Sequence, residues 1–93
     1  MRTIQVTLGA GATPITTNPN LYASVLIVQN NAAAVVRLGD SSVSATKGIA
    51  MANGSPGGST TLTFAFPRGA HLSEYFLFGT AAQVIDVLYE SAE

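Results

Sequence analysis

The chain reads as an all-β domain, a small antiparallel β-sandwich or barrel of about seven to eight short strands. Three observations lead there: apolar residues recur with a period near two, no segment sustains a 3.6-residue pattern, and turn residues punctuate the chain throughout. The first strand is the clearest. Ile4, Val6 and Leu8 alternate with Thr3, Gln5 and Thr7, and the run stops at Gly9-Ala10-Gly11. Thr13 to Thr17 is a short extended piece closed by Asn18-Pro19-Asn20, where Pro19 biases its predecessor away from helix. Leu21 to Gln29 contains Val25-Leu26-Ile27-Val28, an unbroken apolar run that suits a strand covered on both faces.

Asn30-Asn31 is then expected to turn the chain tightly into 33–38, so that 22–29 and 33–38 form a hairpin. Residues 53–59, with Gly54, Pro56, Gly57 and Gly58, are expected to form a flexible loop. Thr60 to Phe66 alternates polar with apolar, placing Leu62, Phe64 and Phe66 on one face, and Pro67-Arg68-Gly69 is expected to end it. Leu72 to Phe78 and Gln83 to Tyr89 read as the last two strands, joined by Gly79-Thr80-Ala81. In the final strand Ile85, Val87 and Tyr89 share one face and Val84, Asp86 and Leu88 the other, with Asp86 expected at a sheet edge or paired with an arginine.

A chain of 93 residues is one domain, and at this size it buries only about 60–65% of its extended surface. Oligomerisation or docking is therefore expected. Charged residues make up 10% of the chain, against about 25% in ordinary soluble domains, while hydrophobic residues reach 47%. Such a surface, built of Ser, Thr, Asn, Gln, Gly and Ala, costs little to desolvate against another protein. Net charge is −1 and the cations Arg2, Arg37, Lys47 and Arg68 are scattered, so no basic stripe suits a nucleic acid. With zero cysteines there is no disulfide, thiolate metal site or thiol nucleophile, which fits assembly in a reducing cytoplasm. No stretch approaches the roughly 18 apolar residues that would span a membrane, and the N-terminus lacks the apolar run of a signal peptide. The segment 1–14 is set off by Gly9, Gly11 and Pro14 and its alternation needs a strand partner, which makes it a candidate N-terminal arm. Its candidate interface residues are Arg2, Ile4, Val6 and Leu8.

Motifs that could carry chemistry are incomplete. Gly39-Asp40-Ser41 matches the nucleophile block of the GDSL hydrolases, but Ser42 stands where those enzymes have leucine. The single histidine, His71, has Arg68 rather than an aspartate three positions before it. A hydroxyl without a positioned base stays protonated and weak. Gly9-Ala10-Gly11 is a fragment of a phosphate loop with no helix behind it. His71 and the sparse carboxylates show no metal-ligand spacing, so no cofactor is expected. Asn53-Gly54-Ser55 fits a glycosylation acceptor only as a pattern. With no tryptophan and few aromatics, a sugar-binding face is the minor alternative.

A family resemblance rests on Gln29-Asn30-Asn31, Val36 to Ser44, Gly48-Ile49, and Gly79-Thr80-Ala81 followed by Val84, Val87 and Leu88. In wording and order these pieces resemble small β-rich virion structural proteins of tailed bacteriophages, of the capsid decoration (cement) or head-fibre type. The segment 53–59 is longer and richer in glycine than that pattern. The resemblance implies a non-enzymatic protein of the virion, assembled in the host cytoplasm, that stabilises the head by bridging major capsid subunits. The alternative it implies is a tail, head-fibre or baseplate module that attaches to host-surface glycans. It further implies a homo-oligomer, with a trimer favoured, and partners among virion proteins rather than nucleic acid or membrane. Gly39, Asp40 and Ser41 are then a structural turn, with Gly39 expected at positive φ and the Asp40 and Ser41 side chains bonded back to nearby amides.

Overall fold

The structure, a computed structural model, describes residues 2–30, 34–52 and 60–92; the loop expected at 53–59 lies outside the described residues. Eight strands are described: β1 (Arg2–Thr7), β2 (Thr13–Pro14), β3 (Tyr22–Asn30), β4 (Val36–Gly39), β5 (Ile49–Met51), β6 (Thr60–His71), β7 (Phe76–Phe78) and β8 (Val84–Ser91). A single 3₁₀ turn, Leu72–Glu74, precedes β7. The expected all-β class is the observed one.

The strands form two four-stranded sheets, β1-β8-β3-β6 (sheet A) and β2-β7-β4-β5 (sheet B), and every pairing is antiparallel. First pairs with last and the sequence closes inward: β1 with β8, β2 with β7, β3 with β6, β4 with β5. That nested order is the topology of a jelly roll, two Greek keys wound into a sandwich. The alternation along each strand decides what lies between the sheets. Val6, Leu26, Val28, Ile85, Val87 and Tyr89 of sheet A are buried, as are Val36, Leu38, Met51 and Leu77 of sheet B. Leu62, Phe64 and Phe66 pack against this core on one face of β6, with the Phe66 and Tyr75 rings 5.5 Å apart.

Three expectations are corrected. β3 and β4 are not a hairpin: β3 pairs with β6 and β8, β4 with β5 and β7, so the chain crosses between sheets after Asn30. The reason is burial, because the apolar faces of both strands are satisfied only when they oppose each other across the core. Pro67-Arg68-Gly69 does not end β6. Ala23 lies opposite Ala70 and Val25 opposite Ala65, so the extra residues bulge out and the strand resumes to His71. Gly69 has φ +78°, and a Cβ there would fall 2.1 Å from Tyr22 Cε2; the Tyr22 ring covers the glycine and its hydroxyl donates to the Arg68 carbonyl at 2.7 Å. Finally, Asp86 is not at an edge, since β8 runs between β1 and β3; its carboxylate accepts from Gln5 Nε2 at 3.0 Å.

Asn30 holds the crossing. It is fully buried, and its Nδ2 donates to the carbonyls of Ala34 (3.0 Å), Met51 (3.1 Å) and Ala52 (3.0 Å). One carboxamide at the end of β3 thus binds the approach to β4 and the end of β5, both belonging to sheet B. Asn30→Ala takes the side-chain donor from the buried Met51 carbonyl and from the partly buried carbonyls of Ala34 and Ala52, and is expected to cost about 3 kcal/mol in chemical unfolding. Asn30→Asp should cost more at neutral pH, because an ionised carboxylate would face carbonyl oxygens. Burial raises the folded-state pKa of such an acid, so its penalty is full above the folded value, shrinks as pH falls through it and is gone below the unfolded value. Unfolding curves for both variants across acidic and neutral pH check the order and the sign.

Candidate interaction surface

Strand registers carry the outward residues of sheet A into one face. Thr3, Leu88, Ile27 and Thr63 form one row across the four strands, and Gln5, Asp86, Gln29 and Thr61 the next. Thr7 with Val84 on one side, and Glu90, Val25 and Ala65 on the other, extend it. The central strands bring Val25, Ile27, Val84 and Leu88 to this face together with Asp86, Gln29 and Glu90, and the flanking strands bring mainly hydroxyls. Val25, Ile27 and Leu88 are only half-buried, Val84 is 41% exposed, and Thr61, Thr63 and Ala65 are exposed. The continuous run Val25 to Val28 was expected to be covered on both faces. The chain covers the face of Leu26 and Val28 and leaves the face of Val25 and Ile27 to solvent.

The charge on this surface is acidic and confined to β8, at Asp86 and Glu90. Arg2 opens β1, Arg68 sits in the bulge of β6, Glu74 in the 3₁₀ turn, and Asp40 and Lys47 in the loop after β4. Only Asp86 and Glu90 stand among the outward residues of sheet A named above. Interface centres are depleted in charge for a physical reason, since each ion must be stripped of water before contact.

The candidate interface residues of the N-terminal segment are placed differently from one another. Arg2 is exposed and Ile4 half-buried against the core, while Val6 and Leu8 are 5% and 3% exposed. The segment is built into sheet A along its whole strand, Arg2 opposite Tyr89 through Thr7 opposite Val84, and β2 pairs with β7 in sheet B. Ile4, Val6 and Leu8 therefore serve the fold, and the residues the strand offers outward are Thr3, Gln5 and Thr7. The sequence signal for this was the alternation itself, read with the opposite face in mind.

On sheet B the outward residues include Arg37, Phe76 and Phe78, with Phe78 opposite Arg37 and Leu77 turned inward. Phe76 and Phe78 are thus not core residues. A shallow cleft of about 460 Å³ is lined by Val35, Arg37, Ala45, Phe78, Gly79 and Thr80. Arg37 Nη1 donates to the Gly48 carbonyl at 2.9 Å, which fixes the guanidinium along its rim.

The turn at Gly39, Asp40 and Ser41 is a hydrogen-bonded loop in which the working residues are displaced by one position. Asp40 Oδ1 accepts from the Ser42 amide (2.9 Å) and the Ser42 hydroxyl (2.5 Å), and Ser42 Oγ accepts from Lys47 Nζ at 2.7 Å. The Val43 amide closes onto the Asp40 carbonyl at 3.0 Å. Gly39 does not have positive φ; Gly48 does, at +125°, where a Cβ would meet Val43 Cγ2 at 2.7 Å. Gly39 is small for another reason, because its Cβ would press on Val43 at 3.2 Å. The Ser42 hydroxyl bond, then the Ser42 amide, hold the Asp40 carboxyl below the usual carboxylate value, with Lys47 adding attraction. A carboxylate whose proton affinity is lowered is a poorer base, so the arrangement stiffens a loop more readily than it activates a hydroxyl. His71, at the end of β6, meets Tyr22 edge-on with centroids 4.6 Å apart. Among the described residues no group of three or more histidines and carboxylates is arranged to hold a metal ion.

Comparisons with protein-family models, with curated proteins and with solved structures find no match for this chain.

Two outcomes follow from the loop. In an NMR pH titration Asp40 should ionise below the ordinary carboxylate range, and Ser42→Ala should move it back up by removing the largest cause. Any stability the carboxylate contributes is then present above its unfolded value and lost as pH falls through the folded one. Gly48→Ala should lower stability by about 1–3 kcal/mol, through strained backbone and the Val43 contact, and Gly39→Ala by less, read by thermal melting.

Proposed function

We propose that this protein is a non-enzymatic structural component of a tailed-phage virion, a capsid decoration protein that binds the assembled head and bridges major capsid subunits. One observation carries the proposal furthest: the apolar run of β3 needs cover on both faces, and the chain supplies it on one. Val25, Ile27, Val84 and Leu88, on a four-stranded face whose charges are Asp86 and Glu90, suit a protein partner, since each Å² of apolar surface removed from water contributes about 25 cal/mol. The jelly-roll topology supports the same reading, because capsid proteins are among its users, although a fold alone does not assign a function. The resemblance through Val36 to Ser44 and Gly79 to Leu88 adds the virion context.

The test is co-sedimentation of the protein with heads of its source phage. Ile27→Lys should reduce capture at least about tenfold, the effect of losing roughly 1.4 kcal/mol, because an ammonium would have to be desolvated at the contact. Ser41→Lys, in an exposed loop off this face, should bind as the parent does. A parent protein that ignores heads, or an Ile27→Lys variant that binds undiminished, overturns the reading.

Attachment to host-surface glycans is the second reading, favoured by a separate feature. Half-exposed Phe76 and Phe78 flank Arg37 on sheet B and offer an apolar platform beside a cation, the pairing a sugar ring uses. Retention on glycans that is lost in Phe78→Ala, with head binding absent, would select it.

A further inference from the structure

The sandwich has four sheet edges, and they are not equally protected. β2 has two residues, one of them Pro14, and β5 has three. β6 carries Pro67 and the bulge in its second half, and its first half is entered from residues outside the described set. β1 is different. From Thr3 to Thr7 it has no charge, proline, glycine or register shift, none of the devices by which edge strands resist pairing.

The parity of its backbone groups can be read from the strand's end. The Leu8 amide donates to the Gln83 carbonyl at 2.8 Å and the Leu8 carbonyl accepts from the Ala82 amide at 2.8 Å, so Leu8 points both groups toward the β8 side. In an antiparallel ladder the direction alternates. Val6 and Ile4 therefore bond to β8, and the N–H and C=O groups of Thr3, Gln5 and Thr7 point away from it, to the free edge.

We propose that this edge binds a second copy of the chain, β1 against β1 in antiparallel pairing about a two-fold axis through Gln5. A two-fold pairing must keep outward side chains on one face, so residues of like parity pair. With Gln5 on the axis, Thr3 pairs with Thr7 of the second copy, Gln5 with Gln5 and Thr7 with Thr3, and all six edge groups are satisfied. Centring on Ile4 or Val6 satisfies only four. The chosen register places no charges opposite each other: hydroxyls meet hydroxyls, the two Gln5 amides meet on the axis, and Ile4 lies beside Val6 on the inner side. The two A sheets become one eight-stranded sheet. This is a two-fold contact rather than the threefold clustering that the resemblance implies, and it does not depend on the virion reading.

Sedimentation of the full chain at rising concentration should show a mass moving from 9.5 kDa toward twice that value. Gln5→Lys should stay monomeric, because two ammoniums would meet on the axis, and should keep its melting temperature, because each ammonium can take the place of the Gln5 amide beside Asp86. The register has its own test, since the chain has no cysteine. Under a mild disulfide oxidant Gln5→Cys should form a covalent dimer, its Cα atoms being about 5.5 Å apart in a hydrogen-bonded pair. Thr3→Cys should not, since Thr3 and its own copy lie about 13–14 Å apart along the strand. A parent that is monomeric at every concentration, an oligomer that Gln5→Lys leaves intact, or equal cross-linking of the two cysteine variants overturns the proposal.

Discussion

The carboxamide of Asn30 sits where the chain must leave one sheet and enter the other, and the sandwich depends on that passage. A strand end inside a core presents carbonyls that no ladder reaches, and each would cost free energy if left without a donor. The two N–H bonds of the Asn30 carboxamide are shared among three of them, from Ala34, Met51 and Ala52, and the residue is fully buried. Because Met51 and Ala52 lie at the end of β5 and Ala34 shortly before β4, one side chain fixes the distance between β3 and the far edge of sheet B. The nested pairing of β3 with β6 and β4 with β5 then closes around that point.

A second constraint runs through the surface. A domain of this size has little core to spare, yet the outward face of sheet A keeps Val25, Ile27, Val84 and Leu88 in positions where a freely soluble domain would place lysine or glutamate. Four of the charged residues, Asp40, Lys47, Arg68 and Glu74, sit at bends, a bulge or the 3₁₀ turn and are exposed. The loop after β4 uses its pair constructively: the Asp40 carboxylate, Ser42 hydroxyl and Lys47 ammonium form one hydrogen-bonded chain that replaces a packed core with polar stiffness. The apolar outward residues of sheet A and the hydrogen-bonded loop after β4 occupy different parts of the molecule.

The sheet edges and the sheet faces ask for different partners. A face is satisfied by apolar contact and tolerates many registers, whereas an edge demands backbone groups in a fixed order. In β1 the same three residues border both, since Thr3, Gln5 and Thr7 turn their side chains to the face and their amides to the edge. An edge contact between copies would leave the face of sheet A open and double its extent.

Alternation along the sequence determined the fold class and, within each strand, which residues face inward: Val6 and Leu8, Leu62 with Phe64 and Phe66, and Ile85, Val87 and Tyr89 all lie where a period of two puts them. Turn residues likewise marked most of the breaks. Neither signal says which strand a strand will pair with, because that choice is made by burial between segments far apart in the chain. Asn30-Asn31 therefore read as a hairpin, and the tertiary structure made Asn30 a buried clamp between sheets. Pro67 to Gly69 read as an end, and became a bulge because the Tyr22 ring, contributed from 46 residues away, covers Gly69 and binds the Arg68 carbonyl. Gly39 and Gly48 were equally able to take positive φ, and the folded loop gives it to Gly48, at +125°, and not to Gly39. The candidate surface divides in the same way. Its residues were legible as the outward half of each alternation, but that they stand side by side, uncovered, on one face follows from registers that no local pattern contains.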